Sequence, residues 1–138
     1  KERFVGREFS GYENVHLSFT ELENIYVKEI SSWKTSLQNI KGIYLITDKK
    51  NGKKYVGSAY EEKEGIWSRW NTYRKTGHGN NKQLIKIIKK NSLNYAEKNF
   101  NFSLIEYYPL KVDNNFVIER ETYWKEVLLT RQFGYNEN

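Results

Sequence analysis

Two short tyrosine tripeptides, Gly42-Ile43-Tyr44 and Tyr55-Val56-Gly57, stand ten residues apart in this chain of 138 residues. Between them lies Asp48-Lys49-Lys50-Asn51-Gly52, rich in turn formers. Asn-Gly tolerates positive φ at both positions and suits the twist of a tight hairpin. The flanking segments, 42–47 and 53–57, therefore read as facing strands of one β-hairpin, which brings Tyr44 and Tyr55 close together. Two phenols side by side carry little chemistry alone. An arginine, a histidine, a lone carboxylate and an asparagine follow them at set places downstream.

The rest of the chain supplies elements to pack on that hairpin. Val15 to Phe19 alternates apolar and polar, as a short strand does. Ser18 and Glu21 have capping-box spacing, and Leu22, Ile25 and Tyr26 follow at helical intervals. A second short helix covers Trp33 to Leu37. Residues 64–74 read as a helix with Ile66, Trp70 and Tyr73 on one face. Lys82 to Lys90 reads as another, with Leu84, Ile85 and Ile88 inward. The glycine-bearing segment 75–81 between them is a loop. Phe100 to Ile105 alternates as a third strand, which Pro109 ends. Phe116 to Thr130 is a final helix. The expected fold class is α/β (α+β): a small three-stranded, mainly antiparallel sheet flanked by helices. The expected division is an N-terminal extension or accessory segment at 1–40 and a catalytic domain at 41–138.

Charge separates the same two parts. Residues 1–40 hold five Lys/Arg and six Asp/Glu, a net of −1, whereas residues 41–138 hold eighteen and eleven, a net of +7. A basic, aromatic-rich domain suits a polyanion, nucleic acid first, although a solvated lysine-rich surface has the same composition. Cysteine is absent, which excludes disulfides and thiolate metal sites. No apolar run approaches the roughly 20 residues that span a bilayer, and no signal-peptide pattern opens the chain. The chain begins at Lys1 and contains no methionine, so a fragment of a longer protein is expected.

Glu121 is the sharpest single residue. Val117, Glu121, Trp124 and Leu128 step by four, three and four along one helical stripe. A carboxylate on an apolar stripe is rare unless it is paired or binds a metal. A salt-bridged position at the edge of the stripe is the other reading. One carboxylate is too few for a structural metal cage, yet it suits Mg²⁺, which keeps most of its waters. Arg69 and Tyr73, four apart, share a helix face, where a guanidinium held by aromatics can clamp a phosphate or merely stack on Trp70. His78 in its glycine-flanked loop and Asn136 near the chain end are ordinary when taken singly.

Taken together, that order resembles the GIY-YIG nuclease family, in the manner of its homing-endonuclease and restriction-enzyme branch. The match runs from about Lys41 to Asn136, about 70% of the chain. Gly42-Ile43-Tyr44 matches the family's first tripeptide and Tyr55-Val56-Gly57 its second, with valine for isoleucine. The family's helical arginine falls on Arg69, its next histidine or tyrosine on Tyr73, and a loop histidine on His78. Its metal-binding glutamate falls on Glu121 and its terminal asparagine on Asn136. The slots where some members carry a lysine hold Ser58 and Ser68, so no catalytic lysine is carried over; Lys53 or Lys54 stays open as a substitute.

The resemblance implies an intracellular, cytoplasmic endonuclease that hydrolyses DNA with one Mg²⁺ or Mn²⁺ per site. In it Tyr44, Tyr55, Arg69, Tyr73, His78 and Asn136 are the catalytic set and Glu121 the metal ligand. A tyrosine base, Tyr55 ahead of Tyr44, titrates near 10 when free and needs the cation and the arginine to acidify it. Three readings stay open: a catalytically silent DNA-binding module, the nuclease part of a repair or recombination protein, and a structural protein with a basic surface. Targeting and oligomeric state are not legible.

Overall fold

The hairpin closes in the computed structural model, which describes residues 7–137, through a five-residue connection over 49–53 in which Gly52, but not Asn51, has positive φ. Strands β2 (Ile40–Asp48) and β3 (Lys54–Ala59) pair antiparallel, with Tyr44 opposite Gly57 and Ile46 opposite Tyr55. Side chains alternate along a strand, so Tyr44, Ile46 and Tyr55 share one face and the two tyrosines are diagonal neighbours. Gly52 takes the left-handed conformation the turn needs, at φ +81°.

The sheet has four strands, not the expected three, in the order β1-β4-β2-β3 with every pair antiparallel. The addition is β1 (His16–Ser18), which pairs with Asn101–Ser103 of β4 (Phe100–Pro109). Alternation over 15–19 marks this strand. Its partner lies far along the chain, and a three-residue segment holds no information about which edge it joins.

Two glycines of the tripeptides are there for space. A Cβ on Gly57 would sit 2.5 Å from Cζ and from the hydroxyl oxygen of Tyr44, because that ring lies across the glycine. A Cβ on Gly42 would sit 2.7 Å from the Glu106 carbonyl oxygen. That is the place where β2 and β4 shift register, between Ile43 and Tyr44.

Helices cover both faces. Tyr44, Ile46, Phe100 and Phe102 are buried beneath α3 (Gly65–Thr76), with α1 (Phe19–Val27), α2 (Ser31–Gln38), α4 (Lys82–Asn91) and α5 (Leu93–Asn99) around it. The opposite face carries Ile43 and Val56 against Val117, Trp124 and Leu128 of α6 (Asn114–Leu128). A short α7 (Thr130–Phe133) follows α6. The Ser18–Glu21 capping box forms in both directions, and Leu17, Leu22, Ile25, Trp33 and Leu37 belong to the same buried cluster as Tyr44 and Trp70. Helix α5 is an addition to the elements read from the sequence. Ser92 breaks the chain after α4 at φ 71° and then caps α5 by accepting from Asn94 N–H, a restart that periodicity does not signal. Among the described residues no helix is long and apolar enough to cross a membrane.

Candidate active site

Arg69 is held from several sides. Its Nε donates to the Tyr44 hydroxyl at 3.1 Å, and one terminal nitrogen, Nη2, donates to the Tyr73 hydroxyl at 3.3 Å and the Gly79 carbonyl at 3.0 Å. The Tyr44 and Tyr73 hydroxyls are themselves hydrogen-bonded at 2.9 Å. Both rings are fully buried and pack edge to face on one another and, for Tyr44, on Trp70. The guanidinium also lies over the Tyr73 ring at 4.9 Å. The bonds named use Nε and Nη2, which leaves the donors of the other terminal nitrogen for a planar anion. Arg69 therefore rests on Tyr73 and Tyr44, not on Trp70 as the plainer sequence reading allows.

Tyr55 differs from the other two tyrosines. It is only partly buried and, with Arg69, divides an open groove into two parts of about 440 Å³ and 220 Å³. The larger part is lined by polar donors: Asn80, Asn81, Lys82 and Asn136, with Glu137 beside them. The smaller is lined by Ser58, Tyr60 and the carboxylates Glu61, Glu62 and Glu121. Burial pushes the Tyr44, Tyr55 and Tyr73 phenols above the ordinary value, and Arg69 pulls against it without prevailing. For Tyr55, Glu121 adds to the upward push. The expected acidification by the arginine is thus outweighed by desolvation in the chain itself.

Glu121 reaches the groove from the other side of the sheet. Its Oε1 accepts from Ser58 Oγ at 2.7 Å, and its Oε2 lies 3.6 Å from Lys125 Nζ, one helical turn on. Its side chain keeps 16% of its exposure, so it stands at the rim of the Val117–Trp124–Leu128 stripe. Both features read from the sequence are present: Val117 is buried with Trp124 and Leu128 partly buried beside it, and the carboxylate is ion-paired at the edge. Ser58, in a slot where some family members carry a lysine, orients the carboxylate. Lys53 and Lys54 do not line the groove: Lys53 Nζ lies over the Tyr135 ring and Lys54 Nζ donates to the Gly52 carbonyl.

Asn136 is buried and plugs the free rim of the edge strand. Its Oδ1 accepts from Val56 N–H and its Nδ2 donates to the Val56 carbonyl, both at 2.9 Å. An asparagine side chain thus replaces the neighbouring strand that β3 lacks. Tyr135 beside it donates to Asp48 Oδ2 at 2.6 Å, as Tyr95 does, so the chain end is tied to a fully buried carboxylate. His78 does not line either part of the groove. Its Nδ1 accepts from Asn80 N–H at 2.9 Å, which puts its proton on Nε2, and burial lowers its pKa.

Sequence reasoning missed Asn80, Asn81 and Lys82, which follow His78 after one glycine, and also Lys125 and the Glu61–Glu62 pair. Only the i,i+4 spacing of Glu121 and Lys125 carried a local signal. A divalent cation fits the smaller part of the groove by donor chemistry: the donors are carboxylate, hydroxyl and phenol oxygens, which hard cations prefer. Among the described residues no three carboxylates or histidines converge into a cage, so any such ion depends on Glu121, water and substrate oxygens.

A family model described as the GIY-YIG catalytic domain matches residues 40–136. A solved structure described as a mutant of the catalytic domain of intron endonuclease I-TevI is 28% identical. It covers 72% of this chain and 94% of that one, with a TM-score of 0.52. Another, described as the catalytic domain of homing endonuclease I-TevI, is 29% identical over 70% of this chain and 96% of that one, with a TM-score of 0.50. No curated protein matches.

Proposed function

The chain belongs to the GIY-YIG catalytic domain family, and from that membership we propose that it is a divalent-metal-dependent endonuclease that hydrolyses DNA. One observation carries the reading. Arg69 and Glu121 come from helices on opposite faces of the sheet, and both border the groove at Tyr55. A phosphodiester needs a positive clamp, a cation and a positioned water together, and this is where all three come within reach. The similar solved domains belong to a homing endonuclease, which supports DNA as the substrate.

In the proposed mechanism Arg69 donates from its unengaged terminal nitrogen to a non-bridging oxygen of the scissile phosphate. Tyr44 and Tyr73 do not touch substrate; they hold the guanidinium in register. Tyr55, a protonated phenol at neutral pH, hydrogen-bonds the attacking water, and takes up the water's proton only in the phenolate form, after its own proton has passed to solvent. Glu121, aimed by Ser58, would hold Mg²⁺ or Mn²⁺. When bound, such an ion supplies Lewis-acid neutralisation of the developing charge, worth several kcal/mol. Asn81 and Lys82 complete the donor wall on the other side of Arg69, and His78 positions Asn80. Asn136 keeps the edge strand straight beneath Tyr55. Residues 41–138 form the catalytic unit, supported by a groove lined entirely by residues 55–137. Within the N-terminal segment 1–40, helices α1 and α2 serve as a packing layer on α3.

The test is supercoiled-plasmid relaxation with Mg²⁺, Mn²⁺ or EDTA, with Glu121→Ala beside the parent. Metal-dependent nicking that the variant loses, with DNA binding kept, is expected. DNA binding without nicking in any metal means a silent binding module. Equal nicking by both proteins removes Glu121 from the mechanism. A rate that stays flat from neutral to alkaline pH removes Tyr55 as the base.

A further inference from the structure

The groove is electrically lopsided, and its basic side continues beyond it. The smaller part carries the three carboxylates Glu61, Glu62 and Glu121, whereas the larger carries one, Glu137, which is held by Gln83. On the far side of Arg69, Lys82 opens helix α4, whose outward residues Lys82, Lys86, Lys89 and Lys90 are all exposed. Helix α4 contains no acidic residue. None of these four lysines makes an ion pair among the described residues. Four cations on one short helix repel one another, and no partner within the described chain offsets that. The helix is anchored by its other face, where Leu84 is buried and Ile87 and Ile88 pack on the core.

A second depression adjoins the groove. Lys86 and Lys90 form one wall, Asn51 and Lys53 of the hairpin turn the other, and Gln83 joins them; its volume is about 310 Å³. The two hollows meet where Gln83 Nε2 donates to Glu137 of the groove. Lys82, Lys86 and Lys90 recur every four residues, so the row advances about 12 Å along the helix. One DNA strand places a phosphate about every 3.4 Å of duplex axis, so such a row spans three to four phosphates.

We propose that α4 and the hairpin turn form a one-sided phosphate track, which holds the backbone of duplex DNA on one flank of the scissile position. This rests on the nuclease reading above. The strand runs from Arg69 past Lys82 to Lys86, Lys90 and Lys53. The acidic wall repels a phosphate chain on the other flank. The contacts are backbone contacts, so the track binds without regard to sequence and sets the direction in which the duplex lies.

The experiment pairs Lys86→Gln/Lys90→Gln with a control that removes equal charge elsewhere, Lys28→Gln/Lys34→Gln on the α1–α2 layer. Binding of the chain to a blunt duplex is measured by fluorescence anisotropy in EDTA across a salt series. Nicking is measured on duplexes shortened on either flank. The track variant is expected to lose about 0.9 of the log–log salt slope per lysine, and about tenfold in affinity per lysine at 0.1 M salt. KM for nicking rises while the saturated rate is kept, and shortening one flank weakens the parent far more than shortening the other. The control keeps the parent's slope. Thermal melts check that both variants stay folded. A parent that binds and nicks, beside a track variant with the parent's slope and KM, overturns the track and leaves the nuclease reading intact. So does equal sensitivity to both flanks. A parent that neither binds nor nicks duplex DNA overturns both.

Discussion

Gly57→Ala is the sharpest test of how the site is built. In an ordinary strand this change stabilises by roughly 0.5–1 kcal/mol, because glycine loses more backbone freedom on folding. Here the added carbon meets Tyr44 at 2.5 Å from Cζ and from the hydroxyl oxygen, and at 2.6 Å from Cε1. Comfortable carbon contacts begin near 3.5 Å, so the overlap is about 1 Å. Neither side has room to yield. The Tyr44 ring is fully buried against Trp70 and Tyr73, and its hydroxyl is bonded to Arg69 and Tyr73. Strand β3 is pinned by β2 on one side and by Asn136 on the other. Overpacking of this kind costs about 1–3 kcal/mol. For a chain this size that is a fall of about 3–10 °C in Tm. The assay is thermal and urea unfolding of Gly57→Ala, Tyr44→Leu and the double variant. The penalty of Gly57→Ala should shrink by at least about 1 kcal/mol when the tyrosine ring is gone. Nicking by Gly57→Ala should be lost well below its Tm, since a displaced Tyr44 releases Arg69 Nε. A variant as stable as the parent, or an equal penalty in the Tyr44→Leu background, refutes the reasoning.

Three further outcomes follow from other contacts. Asn136→Asp keeps an oxygen for Val56 N–H but faces the Val56 carbonyl with a second acceptor; the buried mismatch should cost about 1–3 kcal/mol in urea unfolding, and an unchanged midpoint counts against the edge plug. Asp48→Asn removes the charge that accepts from Tyr95 and Tyr135. It should destabilise by about 1.5–3 kcal/mol and speed amide exchange over 133–137, whereas parental exchange there would show that Asp48 does not tie down the chain end. Hydrogen bonds from Arg120 hold the Glu106 carboxyl down to about 2, against burial and with help from Tyr108 and Trp124. A depressed carboxylate stabilises above its ordinary 4.5, and that contribution is lost as pH falls towards 2. Thermal melts should show an acid limb in this window that Glu106→Gln lacks, and identical limbs in both would exclude the pair as its source.

Much of this protein is legible in its residues because the relevant physics is local. Asn51-Gly52 marks the turn of a hairpin, and the period of two puts Tyr44 and Tyr55 on one face. Ser18 and Glu21 cap a helix across three residues. The Val117–Glu121–Trp124–Leu128 stripe needs only the helical repeat to single out its carboxylate. What the order of residues does not carry is which surfaces meet. His16–Ser18 finds its partner in β4 by non-local pairing. Tyr44 and Tyr73 are buried supports whereas Tyr55 reaches the groove, a distinction set by α3 lying over one end of the hairpin. Arg69 and Glu121 sit on opposite faces of the sheet and come together because β3 is its edge strand, around which both can reach. Asn136 closes that edge with its own amide, since an unpaired strand rim must be satisfied by something and no fifth strand among the described residues is there to do it.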